Sequence, residues 1–237
     1  TSMGVALGMK VAHIAHYPNF LRDRRKRTRI TFIDLHADAE FDMLRGRYGA
    51  LFSLCDYRVV DTEDPSKSYA NADTVEKFTD IEFEFVKGAI ESRPVQDMLC
   101  RWAEDDINRL LTIAICFEIP QKSIATALYM PRVVYDKSLS ILVRQNISCS
   151  TIELVRKAYQ YQKLRAFGML DECYDIDSGC LRQAQRINYI YNHISPEQPF
   201  PQALDDIEAE RLWKELSTVH RWSNLYNAHS IPAKLRS

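Results

Sequence analysis

Six of the eight residues from Arg22 to Arg29 are basic, and the run leads into a segment in which polar and apolar residues alternate. Arg27, Arg29 and Thr31 fall at odd positions, while Ile30 and Phe32 fall at even ones. A period of two sends hydrogen-bonding groups to one face of a strand and apolar groups to the other. On such a face Arg27 and Arg29 carry the donor fork that matches guanine O6 and N7, and Thr31 suits a base edge or a thymine methyl. Arg22, Arg24, Arg25 and Lys26 are the cations expected on phosphates, which position a protein on a duplex without specifying sequence. The run carries +5, six bases less Asp23, in a chain of net charge −1. Nucleic-acid binding must therefore come from local asymmetry and not from a global basic field. A solvated arm, or a patch for an acidic protein surface, is the other use of the same charge.

Other chemistries have less to build on. Asp34, His36 and Asp38 share one side of an extended segment, and His13 and His16 lie upstream, so a metal-dependent enzyme is the rival reading. Carboxylates where a strand meets a helix serve as caps, however, and tetrahedral ligand sets need a closer constellation, so no metal and no cofactor is expected. No phosphate-binding glycine loop, nucleophile elbow or zinc-protease helix is present, and no catalytic residue is expected. The six cysteines include no pair at metal-ribbon or redox spacing and read as reduced, mostly buried thiols. Tyr159, Tyr161, Tyr174, Tyr189 and Tyr191 suggest a base-stacking platform, but at helical spacing they read first as half-buried core.

The elements that position the basic face follow from the pattern. After the strand, Ala37, Phe41, Leu44, Tyr48, Leu51 and Phe52 recur at helical spacing, with Asp38, Glu40 and Asp42 in the first turns, where the backbone dipole favours them. A lone strand needs a partner for its backbone groups, and no second basic strand of this kind occurs in the chain. A twin from another subunit supplies one. Two such strands form an antiparallel ribbon that fits the major groove of promoter DNA, so the chain is expected to be a homodimer on palindromic half-sites.

Four regions are expected: an arm over 1–21, the DNA-binding region over 22–93, a helical core with a possible β-hairpin over 94–195, and a linker, helix and tail over 196–237. Within them the spacing predicts a helix from Asp73 to about Ile90 through Phe78, Ile81 and Phe85, and another from Pro94 to Leu110. A strand over Leu111–Phe117 is expected to pair with Ile124–Tyr129. Further helices are expected at Tyr135–Arg144, at Ser150–Phe167 opened by a capping box, and at Gly179–His193. An acidic helix over Leu204–Val219 with Trp213 precedes a polar tail, and docks on its own core, on a dimer partner or on RNA polymerase. The longest apolar run is too short to span a membrane and no signal peptide is read, so a cytoplasmic protein is expected. The fold class expected is α+β, mostly α: a ribbon-helix-helix-like dimer with an N-terminal basic β-strand and a larger helical core.

The basic strand and its helix, Arg93-Pro94-Val95-Gln96-Asp97 turning into a helix with Trp102, the Pro120–Arg132 stretch, and the segment with Leu164, Gly168 and Leu170 together resemble one family. Over about residues 25–195 the chain resembles the AcaB-like transcriptional activators of conjugative transfer genes, found in IncC-type plasmids and integrating conjugative elements. The resemblance implies a dimeric ribbon-helix-helix regulator with Arg27, Arg29 and Thr31 as its ribbon residues. One departure is visible: no short turn to a second helix follows Phe52. That helix would be displaced to 73–91, which puts phosphate roles for Asn71, Asp73 or Thr74 in question. An accessory DNA-binding protein of the relaxosome or transfer apparatus is the alternative within the same class.

Overall fold

The computed structural model describes residues 1–23, 26–71, 79–105, 109–146, 150–168, 179–195 and 203–236. The chain divides into two compact units, one of residues 1–12 with 19–173 and one of 13–18 with 174–237.

The first unit is built on two sheets. In the larger, the strands β1 (Thr28–Asp34), β2 (Asp56–Asp61), β3 (Tyr69–Ala70) and β4 (Ile81–Lys87) lie in the order β1-β4-β2-β3. β4 runs parallel to both β1 and β2, in registers that start at Thr28↔Ile81 and Asp56↔Glu82, and β3 is antiparallel to β2. The smaller sheet is parallel throughout, with β5 (Thr112–Ile115), β6 (Ser140–Arg144) and β7 (Leu164–Phe167) in chain order.

These pairings overturn the ribbon-helix-helix dimer. β1 pairs in parallel with β4 of its own chain, some fifty residues downstream. The reason lies in the sequence of β4. Phe78, Ile81, Phe85 and Ala89 recur every three or four residues and imitate a helix, yet Ile81, Phe83 and Phe85 also alternate with Glu82, Glu84 and Val86. As the inner strand β4 is covered on both faces, and Phe83, Phe85, Glu84 and Val86 are all buried. A strand with two buried faces shows no clean polar side, so its period is ambiguous from sequence alone.

The same ambiguity explains the other corrections. The expected hairpin mate 124–129 lies inside a helix, α6 (Pro120–Leu128), with Pro120 at its first position, where a missing N–H costs nothing. The expected helix over 135–144 is a short helix, α7 (Arg132–Lys137), followed by β6, and the expected helix over 150–167 is α8 (Ser150–Arg156) followed by β7. Ile141, Val143 and Leu164 are wholly buried, as the inner residues of a parallel sheet must be. Gly168, expected as a helix end, closes β7 at φ +80, a conformation that suits glycine. Residues 72–78, with Asp73 and Thr74, lie outside the described residues. The helix from Pro94 forms as α5 (Arg93–Glu104).

Two apolar clusters hold the unit. One face of the larger sheet, with Ile30, Val59, Phe83 and Phe85, packs under α3 (Ala37–Arg47) and α4 (Gly49–Leu54) through Phe41, Leu44 and Phe52. The Phe41 ring meets Phe85 edge-on at 5.1 Å between centroids. The other face, with Val86 and the half-buried Ile33 and Val60, joins Val95, Leu99 and Ala103 of α5, Val134 of α7 and the smaller sheet. α1 (Ser2–Ile14) comes so near the larger sheet that a Cβ on Gly8 would lie 2.4 Å from Phe32 Cζ. A short helix, α2 (Asn19–Arg22), precedes β1.

The second unit is helical. α9 (Gly179–His193) forms where expected and packs on both α10 (Asp206–Glu215) and α11 (Thr218–Arg236). The expected 204–219 helix ends at Glu215, and the expected polar tail is helix α11. Asp205 caps α10, its carboxylate accepting from the N–H groups of Ile207 at 2.9 Å and Glu208 at 3.1 Å. Arg186 grips Asp206 with two hydrogen bonds of 2.8 Å, and the His13 ring lies 4.3 Å from that of Tyr226. The linker residues 196–202 lie outside the described residues.

Candidate functional site

The structure brings Arg27, Arg29 and Thr31 to one face, as the period of two requires, and sets carboxylates opposite them. Glu82 and Glu84 of β4 stand beside Arg29 and Thr31, and Asp56 and Arg58 of β2 follow on the far side. The Arg27 guanidinium pairs with Asp56, and that of Arg29 with Glu82. Glu84 accepts from the Thr31 hydroxyl at 2.8 Å and from Arg58 Nε at 2.6 Å. Three arginines are thus matched by three carboxylates across three strands. The Arg27 and Arg29 side chains are only 17% and 27% exposed, and Glu84 only 4%. Further along the same face the ladder turns apolar, through Ile33, Val86 and Val60, and enters the core. The face is a charged margin of the core, and donor forks that would suit guanine are engaged by the chain's own acids.

The cations assigned to phosphates are placed differently. Arg22 ends α2 and Lys26 stands just before β1; both are exposed, and the Lys26 N–H donates to the Asp23 carbonyl at 2.9 Å in a tight turn. Arg24 and Arg25 lie outside the described residues.

A second constellation sits at the carboxyl ends of the parallel strands. After β1 the chain passes to α3 on one face of the sheet, and after β4 to α5 on the other. Adjacent parallel strands whose connections diverge leave a crevice between their ends, the usual place for a ligand in an open α/β sheet. Lys87 lies there with its Nζ 2.8 Å from Asp38 and 3.7 Å from Asp61. Asp34 is turned back on its own loop, accepting from the His36 N–H at 2.9 Å. Asp61 is buried and accepts from the N–H groups of Asp64 at 2.9 Å and Glu63 at 3.0 Å.

The electrostatics follow from these contacts. The hydrogen bond from Lys87 holds the Asp38 carboxyl below the usual range, and the same bond raises Lys87. Asp61 is lowered chiefly by the Asp64 N–H. Lys87 is therefore a fixed ammonium and not an amine available as a nucleophile. Among the described residues no group of three histidines, cysteines or acids is placed to hold a metal ion, Asp34, His36 and Asp38 included. A Cβ on Gly88 would come within 2.9 Å of Val95 Cγ2, so the turn out of β4 is closed against a larger side chain.

Sequence reasoning passed over Lys87 and Asp61. The signal was a lysine-glycine pair and an aspartate, each ending an alternating segment, and it has meaning only once those segments are known to be neighbouring parallel strands. Beyond Gly88, Glu91 and Gln96 face Lys122, Thr126 and Tyr129 across an open cleft of about 470 Å³. The Gln96 amide is spent on the Ile90 carbonyl, and Lys122 lies over the Phe117 ring at 4.3 Å.

No protein-family model matches the chain, and no curated protein and no solved structure matches it either.

Proposed function

We propose that this protein is a DNA-binding regulator that engages duplex phosphates through the exposed Arg22 and Lys26, with the charged ladder of the larger sheet serving as a rigid base. The observation that carries the reading is the division of labour within one basic run. Arg27 and Arg29 are internal counterions, whereas Arg22 and Lys26, ahead of β1, stand exposed in a chain of net charge −1. Exposed cations attract the phosphate backbone through counterion release, which needs no groove-reading strand. Control of conjugative transfer genes, in the cytoplasm and without enzymatic activity, is the role that the resemblance to the AcaB-like activators adds.

The test is fluorescence anisotropy on a promoter-length duplex across a salt series. Replacing Arg22 and Lys26 together by alanine should lower affinity evenly on all sequences and reduce the log-log salt slope by about two, near one per phosphate contact. An unchanged slope in that double variant refutes these two residues as the contact. Reporter assays on transfer promoters then separate a regulator from an accessory protein of the transfer apparatus, which would bind and leave transcription alone.

A further inference from the structure

β1 is an edge strand. Its even residues turn their backbone groups toward β4, as the bonds from the Thr28 N–H to the Asp80 carbonyl and from the Gly88 N–H to the Asp34 carbonyl fix. The N–H and C=O groups of Arg29, Thr31 and Ile33 therefore point away from the sheet, and no strand among the described residues pairs with them. Folded proteins blunt such edges with short strands, prolines, bulges, charged residues or a covering helix or loop. The opposite edge follows that rule, since β3 has only two residues. β1 is longer: it runs for seven residues with no proline, and the charge at its outward positions, Arg29, is drawn inward to Glu82 and leaves the backbone groups of the edge unpaired among the described strands.

We propose that this edge pairs with the β1 edge of a second copy, antiparallel about a two-fold axis, joining the two larger sheets into one. Charge selects the register. Outward residues must meet outward residues, which centres the pairing on a residue; the central ones are Arg29, Ile30, Thr31 and Phe32. Centring on Arg29 sets two arginines face to face, centring on Thr31 sets Asp34 against Thr28 of the second copy, and centring on Phe32 sets Asp34 against the apolar Ile30. Centring on Ile30 sets Arg29 against Thr31 of the second copy, so that each exchanges both backbone bonds with the other. Phe32 then meets Thr28, Ile30 meets its own copy, and Asp34 meets the exposed Lys26, an opposite-charge pair formed twice by symmetry. This pairing differs from a free two-stranded ribbon, because each strand remains part of its own parallel sheet. It does not depend on DNA.

The experiment is sedimentation velocity of the full chain over a dilution series, with circular dichroism on each variant. The natural chain should sediment as a dimer. Thr31→Pro removes an N–H that points outward and spares the bonds to β4, so it should give a folded monomer. Thr31→Val loses the hydroxyl bond to Glu84 and keeps the N–H, so it should remain dimeric. Should the proline variant unfold, charge decides: Lys26→Glu should weaken the dimer about tenfold, and Lys26→Glu with Asp34→Lys should restore it. A natural chain that is monomeric at every concentration overturns the proposal. So does a folded proline variant that dimerises like the natural chain, or a charge pair without rescue.

Discussion

Glu84 is the residue on which the charged face turns. Its carboxylate is almost fully buried and is satisfied from two sides, by Thr31 and by Arg58. Replacing Arg58 by methionine leaves that charge with the hydroxyl alone and should destabilise the fold by about 2 kcal/mol, a figure held down by the partial exposure of the arginine. Adding Glu84→Gln should recover part of the loss, as a double-mutant cycle in urea would show. Lys87 offers a second test. Asp38 and Asp61 both have lowered folded values, so each contributes stability that is present above its unfolded value, near 3.9, and is lost as pH falls through the folded one. Lys87 is raised, so its contribution holds below about 10.4 and is lost as pH climbs through its folded value. In Lys87→Met, carboxyl NMR should find Asp38 back near its ordinary value while Asp61 stays low, because the backbone N–H of Asp64 remains. A joint return of both would contradict this assignment.

At the scale of elements, two glycines expected to differ make a direct comparison. Gly8 of α1 has no room for a Cβ against Phe32, so Gly8→Ala should cost about 1–3 kcal/mol by overpacking. Gly46 of α3 has open space around it, and Gly46→Ala should gain about 0.5–1 kcal/mol by restricting the unfolded chain. Opposite shifts in thermal midpoint test how α1 and α3 seat on the larger sheet. Elements with one wet face were legible: β1, α3, α5 and α9 form where their periods place them. β4, β6 and β7 were not, and read as parts of helices. Their short apolar runs continue the spacing of the residues before them, so two periods fit the same residues.

At the scale of the whole molecule, charge that is concentrated in sequence is divided in space. If the ladder behind β1 is a support, Arg29→Ala should lower stability by leaving Glu82 without its partner, and should alter DNA affinity no differently on cognate and scrambled duplexes. A change of preference at one base position, measured by competition, would restore Arg29 as a reader. Among the described residues no helix is long and apolar enough to cross a membrane, in keeping with apolar runs that are short throughout. By itself the sequence determined that a basic run leads into an amphipathic strand with Arg27, Arg29 and Thr31 on one side, because alternation is a local property of the backbone. Only the tertiary structure decided what those side chains face. Hydrogen-bond partners are set by strand order, and the acids that meet the arginines come from β2 and β4, far along the chain, where no local period announces them.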